Sequence, residues 1–179
     1  MKLLNRVLTA DEISNRIIDV PNFPKEGIIF KDITPILADP DAFQSCIRRL
    51  ADLVTGDFNK IVAIESRGFL LGAALAEHFH TGLVLVRKPG KLPRPTASHT
   101  YTLEYGQDTL EIHKDDIKPG DNVIIVDDVL ATGGTASAAE KLIGSLGAKV
   151  VSNLFLIELK FLNGTTKLNS NVHSLIQID

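Results

Sequence analysis

The chain has 179 residues, a formal net charge of −3 and 44% hydrophobic residues, which is the size of one ordinary domain and enough to bury roughly 70% of its unfolded surface. The charge argues against a polyanion binder, so no nucleic-acid partner is expected, and the one cysteine, Cys46, excludes an internal disulfide and fits a reducing compartment. No run approaches the ~20 apolar residues of a membrane span, and polar residues interrupt every short apolar run near the start, so a cytoplasmic protein without a membrane partner is expected.

Thr9 to Val20 reads as a helix: Thr9 and Glu12 form a capping box, Leu8 and Ile13 a hydrophobic staple, and Pro21 ends it. Residues 22–38 carry Pro24, Gly27 and Pro35 around Ile28, Ile29 and Phe30, the pattern of an irregular segment with one short strand. Asp39 and Pro40 make an N-cap and first helical position, and Phe43, Cys46, Ile47, Leu50 and Leu53 follow at helical spacing. Strand runs then alternate with helices. Ile61–Ile64 is a buried strand, Phe69–Phe79 a helix and Leu83–Val86 a strand. Val123–Val126 is another strand, Thr135–Leu146 a helix with Ala138, Ala139, Leu142, Ile143 and Leu146 on one face, and Val150–Val151 and Leu154–Leu159 are strand again. Such alternation predicts an α/β fold with a twisted, mainly parallel sheet flanked by helices. Residues 99–113 instead alternate polar and apolar around Gly106, a hairpin pattern. We expect a single domain over 1–179.

One stretch carries chemistry. The strand Val123–Val126 runs into Asp127 and Asp128, then Val129, Leu130, Ala131, Thr132, Gly133, Gly134 and Thr135, where a helix begins. Backbone N–H groups of a small-residue loop converge on one anion, and the helix N-terminus adds partial positive charge. The two carboxylates cannot hold a phosphate, but they suit a sugar diol, which donates two hydrogen bonds. It is not a P-loop, lacking the GxxxxGK(S/T) lysine, nor a dinucleotide fingerprint.

This VDDVLATGGT stretch resembles the phosphoribosyl pyrophosphate (PRPP) signature of the type I phosphoribosyltransferases. Further segments resemble their adenine-specific branch: Phe23-Pro24 with Gly27 to Pro35, Glu65 to Phe69, Val86 to Pro93 and Tyr101 to Gly106. Glu26 and Lys31 depart from the branch, where proline and arginine are frequent. The resemblance implies the type I phosphoribosyltransferase fold, with an N-terminal hood over 1–38 and a flexible catalytic arm over 94–113. It implies conversion of adenine and PRPP to AMP and pyrophosphate in purine salvage, with Mg²⁺ as cofactor and a homodimer as the working form. Mg²⁺ would be held mainly through substrate and water, near Asp127 and Asp128, with no direct side-chain ligation.

Residue by residue, the resemblance places Asp127 and Asp128 on the ribose hydroxyls. It places Ala131, Thr132, Gly133, Gly134 and Thr135 around the 5-phosphate, and Val129 among the substrate-binding residues. Ser66 and Arg67 would meet pyrophosphate, with Glu65-Ser66 in the cis form. Arg87, Lys88 and Lys91 would add positive charge there, Arg87 at a position that commonly reaches across the dimer interface. Phe30 would stack on the base, the main chain at Ile29 and Lys31 would read its edge, and Leu159 would close the pocket. Glu104, beside Tyr105 in the arm, would handle the purine proton.

Plainer alternatives stay open. Arg87 to Arg94 also fits a solvated basic loop, Phe30 a core residue and Glu104 an exposed strand glutamate. The five histidines have no metal-ligand spacing. The same chemistry on a 6-oxopurine (xanthine, guanine or hypoxanthine), or a non-catalytic PRPP-binding regulator, uses the same loop.

Overall fold

The computed structural model describes residues 6–102 and 106–179. They divide into two compact units, 1–52 and 53–179.

In the first unit, a helix α1 (Ala10–Ser14) starts with the expected capping box, Thr9 accepting from the Glu12 N–H and Glu12 accepting from the Thr9 N–H. It stops well short of Val20. Ile18–Pro21 is a strand, β1, paired antiparallel with β2 (Ile29–Asp32). The β-branched residues Ile17, Ile18 and Val20 favour extended backbone, and across the pair Asp19 accepts from the Lys31 ammonium at 2.7 Å. Tertiary pairing thus overrides a good helix start. A short helix α2 (Thr34–Ala38) lies where the sequence reads as irregular. Then α3 (Pro40–Asp52) begins as predicted, with Asp39 Oδ1 accepting from the N–H groups of Asp41 and Ala42 at 2.9 and 3.0 Å. Its inner face buries Ala42, Cys46 and Leu50, and burial pushes the Cys46 thiol up to about 12, so it packs as a small apolar residue. Arg16 closes on Asp39 at 2.9 Å and ties the end of α1 to the start of α3.

The second unit holds a five-stranded sheet in the order β4-β3-β7-β8-β9. The strands are β3 (Lys60–Ile64), β4 (Gly82–Val86), β7 (Asn122–Leu130), β8 (Lys149–Leu159) and β9 (Asn171–Ile178), and every adjacent pair is parallel. Helix α4 (Gly68–His78) connects β3 to β4 and α5 (Gly134–Ser145) connects β7 to β8. The two faces of β3 part cleanly. Ala63 meets α4, where a Cβ on Gly72 would come within 2.6 Å of it. Val62 and Ile64 join Ala138, Ala139, Leu142 and Ile143 of α5 in the main core. The hairpin is β5 (Thr96–Thr102) and β6 (Gln107–His113). Its inward residues Leu110 and Ile112 are fully buried in that same core.

Three boundaries move. β7 does not end at Val126 but runs through both aspartates, because Val129 and Leu130 continue the ladder opposite Ile157 and Glu158. β8 is one strand, since buried Asn153 donates to Glu140 at 2.7 Å and so needs no loop to satisfy it. The tail supplies β9, an edge strand. No described helix is long and apolar enough to cross a membrane.

Candidate active site

The strand order reverses between β3 and β7: from β3 the chain winds outward to β4, and from β7 it winds the other way to β8 and β9. In open parallel sheets, ligands bind beyond the carboxyl ends of the strands at such a switch point. Glu65, Ser66 and Arg67 follow β3 here, and Asp127 and Asp128 face them from the end of β7. The Glu65-Ser66 bond is cis, as the resemblance implies. The Arg67 guanidinium stands 2.6 Å from Asp128 Oδ2. Gly68, the first residue of α4, has no room for a side chain: a Cβ would lie 2.8 Å from the Val126 carbonyl oxygen and 2.9 Å from Asp127 Oδ1. The helix therefore starts hard against the carboxylate pair.

The two acids are electrostatically frustrated. Burial, then the charge of Asp128 next door, pushes the Asp127 carboxyl well above the usual carboxylate range. Burial also raises Asp128, although the Arg67 guanidinium opposes that rise. Adjacent buried carboxylates seek hydrogen-bond donors or a cation, which is what a diol and a divalent ion supply.

Beyond Leu130 the chain turns into α5. Gly133 is its N-cap, with a φ of +76° that glycine adopts without strain. The first N–H groups of a helix have no partner within it. Asp127, Val129, every residue from Leu130 to Ala136, and Phe155 line one cleft of about 90 Å³. The structure thus brings Asp127, Val129, Ala131, Thr132, Gly133, Gly134 and Thr135 together around one anion-sized space.

The basic loop after β4 is organised by acids. Arg87 donates from Nε to Glu65 at 2.9 Å and from Nη1 to the Lys91 carbonyl at 3.1 Å, and its guanidinium lies 5.7 Å from the Phe69 ring centre. Its backbone bridges to Glu111 of β6. The Lys88 ammonium pairs with Asp108 and lies 5.9 Å from the Tyr101 ring centre. Burial opposes the Lys88 charge most strongly, but the hydrogen bonds and charges of Asp108 and Tyr101 together outweigh it and raise its pKa. Lys91 is exposed. The Tyr101 hydroxyl then reaches Thr135 Oγ1 at 3.2 Å and Asp108 at 3.3 Å. The hairpin therefore ties the basic loop to the glycine loop at the start of α5. Leu159 sits half-buried at the end of β8.

Within the first unit, Phe30 meets Phe23 edge-on at 5.1 Å, Ile29 is 55% exposed and the Lys31 side chain is turned onto Asp19. Glu104 and Tyr105 lie outside the described residues.

The phosphoribosyl transferase domain family model matches residues 33–164. A protein of Geobacter metallireducens named adenine phosphoribosyltransferase is 54% identical over 93% of this chain and 98% of its own length. One of Synechococcus with the same name is 56% identical over 81% and 84%. The chain belongs to the adenine phosphoribosyltransferases. Among their solved structures, that of Thermoanaerobacter pseudethanolicus superposes with a TM-score of 0.93 at 53% identity, covering 95% of this chain and all of that one. The Saccharomyces cerevisiae enzyme, complexed with adenine and an imino-altritol bisphosphate, gives 0.88 at 44% identity over 93% and 97%. The fold is that of the type I phosphoribosyltransferases.

Sequence reasoning finds the loop and the acids that the structure brings together, but overlooks what holds them. Asp108 and Glu111 read in the sequence only as hairpin alternation, and Tyr101 only as part of the Tyr101 to Gly106 resemblance, with no role for its side chain. The signal was there for Tyr101: an aromatic with a polar tip in a polar strand calls for a hydrogen-bond partner.

Proposed function

We propose that the chain transfers the 5-phosphoribosyl group of PRPP to adenine, giving AMP and pyrophosphate, as its relatives' names indicate for them. The observation that carries the reading is the cleft at the switch point, where an aspartate pair and a helix-capping glycine loop share one space. The loop and the N-terminus of α5 would take the 5-phosphate, and Asp127 and Asp128 the ribose hydroxyls. Ser66 and Arg67 lie on the pyrophosphate side, joined by Arg87, Lys88 and Lys91. The bond from C1 to the pyrophosphate oxygen breaks, the electron pair leaves with pyrophosphate, and adenine N9 closes on C1. The N9 proton passes to Glu104. Phe30 stacks on the base, with the main chain of Ile29 and Lys31 on its edge and Leu159 beside it. An edge strand such as β2 turns alternate N–H and C=O groups away from its neighbour, which suits a backbone reader. The hairpin excludes water from the reacting carbon.

Among the described residues, no three metal-binding side chains cluster. Magnesium fits the hard oxygens of Asp127 and Asp128 as a secondary contact, with substrate oxygens and water as its main ligands. When bound it supplies charge neutralisation for the departing pyrophosphate. The working form is a cytoplasmic homodimer, which sedimentation at working concentration tests.

The deciding experiment incubates the protein with Mg²⁺, PRPP and adenine, hypoxanthine, guanine or xanthine in parallel. AMP alone is expected. IMP, GMP or XMP would keep the sugar chemistry and overturn the assignment of Ile29, Phe30 and Lys31. Tight PRPP binding without any nucleotide would mark a regulator instead.

A further inference from the structure

The turn that follows β8 passes directly against the phosphate loop. Gly164 is buried there, and a Cβ on it would stand 2.2 Å from the Ala131 carbonyl oxygen and 3.0 Å from the Gly133 nitrogen. The contact is reciprocal, since a Cβ on Gly133 would stand 2.3 Å from the Gly164 carbonyl oxygen. Both neighbours are main chain, so neither can swing aside as a flexible side chain would. Gly133 also needs its positive φ, whereas Gly164 is not among the residues with one. Space alone demands glycine at 164.

The segment is clamped on both sides of this contact. Thr166 donates its hydroxyl to the Asn163 carbonyl at 2.7 Å, with Asn163 in the left-handed region at φ 51°. Leu168 packs on the cluster of Leu130, Ala136 and Phe155. The N–H groups of Asn169 and Ser170 then donate to the Glu140 carboxylate at 2.9 and 3.1 Å. Glu140 belongs to α5, the helix that the phosphate loop opens. The turn is thus a strap, fastened to α5 at one end and pressed on the loop at the other, while Gly164 itself does not line the cleft.

We propose that Gly164 is a positioning residue for the 5-phosphate site. Its backbone sets the curvature of Ala131 to Gly134 that aims the loop's N–H groups into the cleft. A side chain at 164 displaces those donors and weakens binding of the phosphoribosyl substrate without touching it. The proposal rests on the reading of the loop given above.

The test compares wild type with Gly164→Ala, by calorimetric titration with ribose 5-phosphate and by initial rates against PRPP and adenine separately. Ribose 5-phosphate carries the phosphate and the diol but no pyrophosphate. Its affinity and the KM for PRPP should worsen about tenfold or more, while the KM for adenine stays within about twofold, as expected when preorganised donors shift by an ångström or less. An unchanged KM for PRPP overturns the proposal. So does a lowered melting temperature and active fraction with wild-type KM, because that is a purely structural effect. If Gly164→Ala does not fold, Thr166→Val decides: it deletes one exposed hydroxyl from the strap, and a selective rise in KM for PRPP supports the proposal while no change overturns it. Wild type that neither binds ribose 5-phosphate nor makes AMP would remove the reading of the loop and the inference with it. Wild-type binding matched by the variants removes the inference alone.

Discussion

Replacing Asp121 by asparagine removes one charge at the foot of β7 and keeps the side chain's shape. Asp121 Oδ1 accepts from the Asn59 amide at 2.8 Å, and Oδ2 accepts from the Lys118 N–H at 2.8 Å and pairs with the Lys60 ammonium at 2.9 Å. Burial works against its charge, but the Lys118 N–H, Lys60 and Asn59 together outweigh it and hold the carboxyl down to about 2, from an ordinary 3.8. By linkage that difference is worth about 2 kcal/mol at neutral pH. The side chain is 10% exposed, so solvent screening takes little of it. A depressed carboxylate pKa gives stability that is present above the unfolded value and lost as pH falls through the folded one. The loss therefore runs from about pH 5 down to about pH 2. Asparagine stands in for the protonated acid, so D121N should start about 2 kcal/mol less stable at pH 7, a fall of roughly 4–8 °C in Tm for a chain of this size. Urea melts at several pH values read this directly. The gap between wild type and D121N should close as pH falls. Other acids titrate in both proteins and cancel in the difference. A gap that stays constant with pH would refute the reasoning, whatever its size at pH 7.

Asp127→Asn should do the opposite and raise the melting temperature of the unliganded protein at neutral pH. A raised carboxyl pKa means the folded state holds the proton more tightly, so the charged form's cost is complete above the folded value, shrinks as pH falls from there, and vanishes only below the ordinary 3.8 of the unfolded chain; a thermal-shift pH series that shows no stabilisation at pH 7 would contradict this. The same variant should lose AMP synthesis, which an initial-rate assay follows. Asp108→Asn should release Lys88 for the pyrophosphate and lower the KM for PRPP by at most about fivefold, since a partly exposed pair is worth up to ~1 kcal/mol; a raised KM would instead make the pair a support of the bound state. Glu104→Leu should lower kcat with an unchanged circular dichroism spectrum, and full turnover would remove Glu104 from the chemistry.

What the sequence made legible was what local pattern encodes. The apolar runs of β3 and β7, and Ala138, Ala139, Leu142 and Ile143 of the α5 stripe, are buried in the core because a strand buried on both faces must be apolar along its length, whereas on the edge strand β4 Leu83 stays exposed. The acid pair and glycine loop were legible because few other roles need carboxylates beside a helix-capping glycine. Pairing partners were not legible. Nothing local says that Ile18–Pro21 will leave a helix to pair with Ile29–Asp32. Nor does it say that Asn153 will stay in a strand because Glu140 awaits its amide. Gly164 was hidden for the same reason, although Asn163-Gly164 is a recognisable turn pair. What makes it matter is a loop some thirty residues away, and only the fold brings Ala131 and Gly133 against it.

One strand carries both outcomes of burying an aspartate. Asp121 immediately precedes β7 and Asp127 lies near its far end. Burial opposes the charge on each, yet one carboxyl is driven down and the other up. The difference is the company. Asp121 has three donors, two of them fixed by neighbouring backbone and strand. Asp127 has another carboxylate beside it and shares with it the Arg67 guanidinium, 2.6 Å from Asp128. A fold that can satisfy the first acid so fully could satisfy the second, so the shortfall at the carboxyl end is not forced by the architecture. It leaves binding free energy to be recovered when a diol and a cation arrive. That is the physical reason we propose the sugar at Asp127 and Asp128 and look for stability at Asp121.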